Sequence, residues 1–230
     1  MSLITAMFHL LPKSLINSVL LTFPTLYRNN FVYYESNLQG DGIEDIKWAL
    51  NSLLDLPGDI IECGSARCGT SILMAKYLKS KNVTKKIFAC DTYEGFNKQE
   101  LAEERKKGLT TVNDKAFTHA SIDYVTRKIK RFDFSDVIEP VKGYFENTLD
   151  DIMIRNYCMA LIDCDLQKSM TFAAEKVFPH LHRGGIMLFD DYNTKEFKGA
   201  ALAVNKFIEN HNEQFKEHGL LKRLYYIKKA

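Results

Sequence analysis

Carboxylates follow one hydrophobic run after another in this chain: Glu62 within DIIECG, Asp91 after KIFAC, Asp163 and Asp165 after MALI, and Asp190 with Asp191 after GGIMLF. Acids so placed can take hydrogen bonds from ribose hydroxyls or amines, cap the following turn, or hold a cation. If the last two runs are adjacent strands, Asp163, Asp190 and Asp191 meet at one edge. Crowded like charges raise one another's pKa unless a cation neutralises them, and Mg²⁺ with retained waters is the economical solution. Capping, or pairing with Lys and Arg, is the purely structural alternative for these acids.

The segment DIIECGSARCGTS, residues 59–71, reads as a strand, a glycine-containing turn and a helix start. Gly64 lets backbone approach a ligand, Gly69 lets the helix start pack closely, and exposed amides there suit polar or anionic groups. A dinucleotide fingerprint needs a middle glycine where Ala66 stands, which counts against a nicotinamide cofactor. Asp91, about one βαβ unit on, suits the two hydroxyls of a ribose, with a turn cap as its structural alternative. Glu62, Gly64 and Asp91 together point to an adenosine-type ligand. An Asp-x-Asp phosphatase is disfavoured, because Gln167 stands where Thr or Val is needed and the nucleophile belongs on the first strand.

Those acids need a scaffold. Strand-like runs fall at 59–63, 86–90, 137–142, 159–163, 186–190 and 221–228, and helical patterns at 42–54, 71–79, 122–132, 171–180 and 198–210. Most of the runs are apolar throughout, as in strands covered on both faces, so the expected fold is α/β. It is a Rossmann-like doubly wound, mostly parallel sheet with helices on both faces, in which ligands bind beyond the carboxyl ends of the strands. Residues 96–120 are polar and charged with little core material, and read as an excursion, part helix and part loop, of the kind that covers a site. His119 lies in it and can serve as general base, a solvated surface histidine being the alternative. His180 and His182 precede the fifth run, at the end away from the acids, and read as structural.

With 230 residues, 46% of them hydrophobic and 26% charged, the chain has material for one large domain without a disulfide framework. A formal charge of +2 is too small to draw in nucleic acid. Five cysteines without a CxxC pair read as buried thiols of a reducing compartment, so the expected location is cytoplasmic. The apolar N-terminal runs are split by Pro12 and Lys13, and neither reaches the roughly 18 residues of a membrane span. Residues 1–42 are therefore expected to form a helical arm, a lid or an oligomer contact, ahead of a domain over 43–230. That arm favours a homo-oligomer. Its run FVYY, residues 31–34, fits subunit or core packing better than stacking on a ligand.

The ordered blocks ECGSARCGTS, CDTYEGF, VKGYFENTL, LIDCDLQKS and GGIMLFDDYNTKEFKGAALAVNKF resemble the macrocin O-methyltransferase family over about residues 57–210. The resemblance implies an S-adenosylmethionine-dependent, Mg²⁺-assisted enzyme that methylates a sugar hydroxyl, with a glycoside or sugar as its small-molecule acceptor. It implies that Glu62, Gly64 and Ser65 lie along the methionine part of the cofactor, that Asp91 holds the ribose, and that Gly143 and Tyr144 border the adenine. Asp163, Asp190 and Asp191 match the family's metal ligands, with Asp163 at the reacting oxygen. A catechol-like aromatic acceptor, or a cofactor-binding module without turnover, are the alternatives. The family usually has glycine where Cys68 stands, a change expected to alter packing only, and a Tyr-Glu pair where Gln167 and Lys168 stand, which touches the acceptor side.

Overall fold

The computed structural model describes residues 40–118 and 120–230 together with positions 15, 36 and 38. Most of the expected arm, the run FVYY and His119 lie outside the described residues.

The domain runs α1 (Asp41–Ser52), β1 (Asp59–Cys63), α2 (Gly69–Ser80), β2 (Ile87–Asp91), α3 (Lys98–Lys106), α4 (Ile122–Arg131), β3 (Ile138–Lys142), α5 (Phe145–Ile152), β4 (Tyr157–Ile162), α6 (Gln167–Val177), β5 (Leu181–Phe189), α7 (Lys198–His211), β6 (Phe215–Leu220) and β7 (Tyr225–Lys229). The seven strands lie in the order β3-β2-β1-β4-β5-β7-β6. β1 to β5 are mutually parallel, and β7 runs antiparallel to both β5 and β6. The chain starts in the middle, winds out to β3, then returns past β1 to build the other half, so strand order reverses between β1 and β4. This is the doubly wound α/β sheet expected from the apolar runs.

Alternate residues of the central strands feed two cores. Ile60, Ile87, Ala89, Leu161 and Leu188 pack beneath α1, α2 and α4, while Ile61, Phe88, Cys90, Ile162 and Phe189 pack beneath α5, α6 and α7. Each large side chain buried here contributes roughly 1.5–3 kcal/mol. Pro140, which has no amide hydrogen to give a ladder, is tolerated because β3 is an edge strand. All five cysteines are free and buried. Among the described residues, no helix is long and apolar enough to cross a membrane.

Three expectations need correction. The run 221–228 is not one strand: it spans a turn at Leu221–Leu224, closed by the Leu221 N–H donating to the Leu224 carbonyl at 2.9 Å, between two antiparallel strands. Helix α5 is absent from the helices expected of the sequence, although Leu149 and Ile152 are buried at helical spacing. The excursion over 96–120 has its own small core, in which Leu101, Leu166 and Phe197 pack with Phe96, Val112 and Phe117.

Candidate functional site

Register alone lines up the residues that follow the parallel strands. Cys63 pairs with Cys90 and Ile162, Ile162 with Phe189, and Asp91 with Lys142. Gly64, Asp91, Gly143, Asp163 and Asp190 therefore end up side by side. The ladder continues through them, with N–H to carbonyl distances of 2.8 Å from Gly64 to Cys90, 2.8 Å from Asp163 to Cys63, 3.0 Å from Gly143 to Asp91 and 3.1 Å from Asp190 to Ile162. A cavity of about 570 Å³ opens over this row, and Glu62, Gly64, Ser65, Asp91, Gly143, Tyr144, Asp163, Asp190 and Asp191 all line it.

The β1–α2 turn is shaped by its neighbours. Gly64 has φ +96°, and a Cβ there would lie 1.9 Å from the Asp163 carbonyl oxygen, so only glycine lets β1 and β4 end together. Cys68 has φ +54°, a left-handed conformation that costs a non-glycine residue roughly 1–2 kcal/mol. A cysteine at this position thus strains the backbone of the turn as well as filling space beneath it. Tyr93 lies beneath the turn, its hydroxyl donating to the Ala89 carbonyl at 2.6 Å and lying 3.0 Å from the Ser65 hydroxyl.

Asp91 ties the two turns together, one carboxylate oxygen accepting from the Ala66 N–H at 2.8 Å and the other from the Tyr93 N–H at 2.7 Å. Burial raises its pKa, and these two donors only partly offset that rise. Each oxygen keeps a lone pair for a ligand hydroxyl. Glu62 is buried under the same turn and accepts from the Ser71 hydroxyl; burial pushes its pKa up to about 8. The free protein therefore holds Glu62 largely protonated at neutral pH, ready to ionise against a cationic group.

The acids on the other half of the row sort themselves in an order the sequence did not reveal. Asp163, Asp165 and Asp191 converge, each offering an oxygen within 4.8 Å of the others. Asp165 and Asp191 adopt left-handed φ values of +64° and +62°, conformations that Asp tolerates better than most residues. Burial, together with the negative charges of Asp190 and Asp191, raises the Asp163 pKa well above the usual carboxylate range. Burial and the neighbouring Asp191 do the same to Asp165. Asp190 faces the Arg223 guanidinium, which donates from Nε to one oxygen at 2.9 Å and from Nη2 to the other at 2.6 Å. Three oxygen donors crowded in this way fit a hard divalent cation. Asp165 carried a sequence signal in its Asp-x-Asp spacing; Arg223 carried none.

The far wall belongs to the excursion and the β5–α7 loop. Thr110 bridges to Phe197, and the Lys198 N–H donates to the Leu109 carbonyl at 3.0 Å. Phe96, Val112, Phe117 and Phe197 face the cavity, with Phe117 and Phe197 packed on Phe96 at ring-centroid distances of 5.2 and 5.9 Å. Glu100 and Glu104 of α3 reach the start of α6, where the Ser169 and Gln167 amides donate to them. Ser36, ahead of α1, also lines the cavity, and its hydroxyl lies 2.7 Å from that of Thr70.

The family model described as Macrocin-O-methyltransferase (TylF) matches residues 43–217. An 8-demethyl-8-(2,3-dimethoxy-alpha-L-rhamnosyl)-tetracenomycin-C 4'-O-methyltransferase from Streptomyces olivaceus is 26% identical over 157 residues, which cover 65% of this chain. A demethyldecarbamoylnovobiocin O-methyltransferase from Streptomyces niveus matches equally, at 26% identity over 65% of the chain. In both cases the match spans 59% of the relative's length. Among solved structures, the O-methyltransferase NovP superposes with a TM-score of 0.71 at 19% identity, covering 95% of this chain and all of that one, and so shares the fold. With the family model covering most of the domain, and with its five sequence blocks gathered around one cavity, the chain belongs to the macrocin O-methyltransferase family.

Proposed function

We propose that this protein transfers a methyl group from S-adenosylmethionine to a hydroxyl of a sugar or sugar-containing small molecule, assisted by Mg²⁺. The observation that carries this reading is the shared cavity, in which the Glu62–Gly64–Asp91–Gly143 row stands directly beside the Asp163–Asp165–Asp191 cluster. Its family and its relatives' acceptors support it.

S-adenosylmethionine supplies an electrophilic methyl on a positively charged sulfur, so the protein's task is to position and deprotonate the acceptor. Asp91 is placed to take the ribose hydroxyls on its remaining lone pairs, while Gly143 and Tyr144 form the rim where the adenine would lie. Gly64 and Ser65 present backbone and hydroxyl to the amino-acid part, and Glu62 offers a carboxylate to its ammonium group. A divalent cation held by Asp163, Asp190 and Asp191, with Asp165 converging on the same point, would lower the pKa of an acceptor hydroxyl. Asp163, at the end of β4 between the cofactor row and the other acids, is placed at the reacting hydroxyl. His119, which lies outside the described residues, is the candidate base, from its residue type and its place in the sequence of the excursion. The excursion would exclude water from the methyl's path. The phenyl rings of Phe96, Phe117 and Phe197 suit the apolar face of a sugar, and they also accommodate an aromatic hydroxyl as the second reading.

The test is transfer of labelled methyl from S-adenosylmethionine to a panel of free sugars, glycosides and catechols, with Mg²⁺ and with EDTA. Labelled sugar products that fall away in EDTA support the proposal. Transfer to catechols alone selects the second reading, and transfer indifferent to EDTA removes the metal.

A further inference from the structure

Helix α3 of the excursion carries two buried glutamates one turn apart, Glu100 and Glu104, and they reach the starts of two helices that have no side-chain cap of their own. Glu100 takes the Ser169 N–H and hydroxyl in the first turn of α6. Glu104 stands between α6 and α7. One of its oxygens accepts from the N–H of Gln167, the first residue of α6, and a Cβ added to Gly199, the second residue of α7, would lie 2.8 Å from both oxygens. Glycine at 199 thus leaves α7 room to begin against a carboxylate, and the partial positive charge of a helix start favours an acid there. The other oxygen, Oε2, is buried with no hydrogen-bond partner among the described residues. An unpaired buried acceptor is costly, so the seat is held by two helix ends at once and not by one bond. The backbone continues the same seam: the Leu109 N–H donates to the Glu104 carbonyl, and the Lys198 N–H to the Leu109 carbonyl, each at 3.0 Å. The helices joined in this way are the two that follow the acids of the site, Asp163 and Asp165 directly before α6, and Asp190 and Asp191 at the start of the loop that leads to α7.

We propose that Glu104 is a positioning residue that couples the cover to the cation site: seated between the first turns of α6 and α7, it holds α3 down and fixes the approach of the two helix starts, and with it the spacing of the acids that precede them. The proposal rests on the reading of Asp163, Asp190 and Asp191 as ligands of a divalent cation. Coupling of this kind is reciprocal. Binding that draws the acids together tightens the cover, and a loosened cover weakens binding.

The test is hydrogen exchange over residues 98–110 of the full chain, read by mass spectrometry with and without Mg²⁺, together with Mn²⁺ affinity from the electron paramagnetic resonance of the free ion. In wild type, Mg²⁺ is expected to slow exchange in this segment about fivefold. Glu104→Gln keeps the size of the side chain and removes the charge that faces the helix ends. It should exchange at one rate with and without Mg²⁺ and bind Mn²⁺ about fivefold more weakly. Gly199→Ala presses on the same seat from the α7 side and should do the same, which decides the matter even if Glu104→Gln folds poorly. Glu103→Gln, at an exposed position of the same helix, should behave as wild type. Variants at 104 and 199 that melt lower yet keep the Mg²⁺ response and the wild-type Mn²⁺ affinity would give Glu104 a structural role only and overturn the coupling. Mn²⁺ binding by wild type with unchanged exchange over residues 98–110 overturns it as well. Failure of wild type to bind Mn²⁺ overturns the cation reading itself and this proposal with it, a result distinct from the other two.

Discussion

Gly64 and Asp163 stand so close that a single methyl group cannot fit between them: a Cβ on Gly64 would lie 1.9 Å from the Asp163 carbonyl oxygen. The cofactor turn and the acidic site are therefore two ends of one backbone contact, at the point where the sheet reverses its strand order. Gly64→Ala should destabilise the protein by about 3 kcal/mol or more, since both a left-handed φ and a backbone clash must be relieved. Gly184→Ala is the control: that site also has a positive φ but nothing within 4 Å. It should cost only about 1 kcal/mol. Urea unfolding of the two variants side by side checks the difference, and equal costs would mean that the contact is soft.

Glu62 gives a pH dependence with a definite sign. Its folded pKa of about 8 lies above the ordinary value of 4.5, so the folded state binds the extra proton between them. Its contribution to stability is complete below the lower value and is lost as pH rises through the upper one. Burial raises Asp163 and Asp165 in the same direction. The melting temperature of the free protein should fall from about pH 5 to about pH 9, and Glu62→Gln should flatten that fall. Parallel profiles for the two proteins would count against a protonated Glu62.

Helix α6 has no side-chain cap of its own, with Leu166 at the N-cap position. Glu100 supplies one from α3, accepting from the Ser169 N–H at 2.8 Å and its hydroxyl at 2.6 Å. Glu100→Ala should cost roughly 1–2 kcal/mol, as other lost caps do, and should loosen the cover over the cavity. Limited proteolysis within residues 98–118 is expected to accelerate in the variant. Unchanged cleavage would separate the cap from the cover.

Much of this was legible in the chain. Unbroken apolar runs such as MALI and IMLF marked strands buried on both faces, and the acids after them marked the carboxyl edge, because sheet register turns strand ends into neighbours. The direction of each carboxylate was not legible. Asp190 and Asp191 are adjacent in sequence, yet one faces Arg223 and the other faces Asp163 and Asp165. That division depends on the Leu221–Leu224 turn, which Asp45 holds from the other end of the chain, and no local pattern announces such a contact. Cys68 is the converse case, where the absence of a glycine concealed a left-handed turn.

Asp91 offers a separable test of the cofactor half. Asp91→Asn preserves the size of the side chain but removes the charge that would face the ribose hydroxyls. Affinity for S-adenosylmethionine should fall by about 1–3 kcal/mol, the range for lost charged hydrogen bonds. An affinity equal to that of wild type would reassign Asp91 to the Ala66 and Tyr93 amides alone.

The central claim is that the row from Glu62 to Gly143 is a S-adenosylmethionine site, and titration calorimetry of the wild-type protein with S-adenosylmethionine and with NAD tests it most directly. S-adenosylmethionine is expected to bind with a dissociation constant on the order of micromolar, about −8 kcal/mol, and NAD to give no heat. Binding of NAD, or of neither compound, would contradict it.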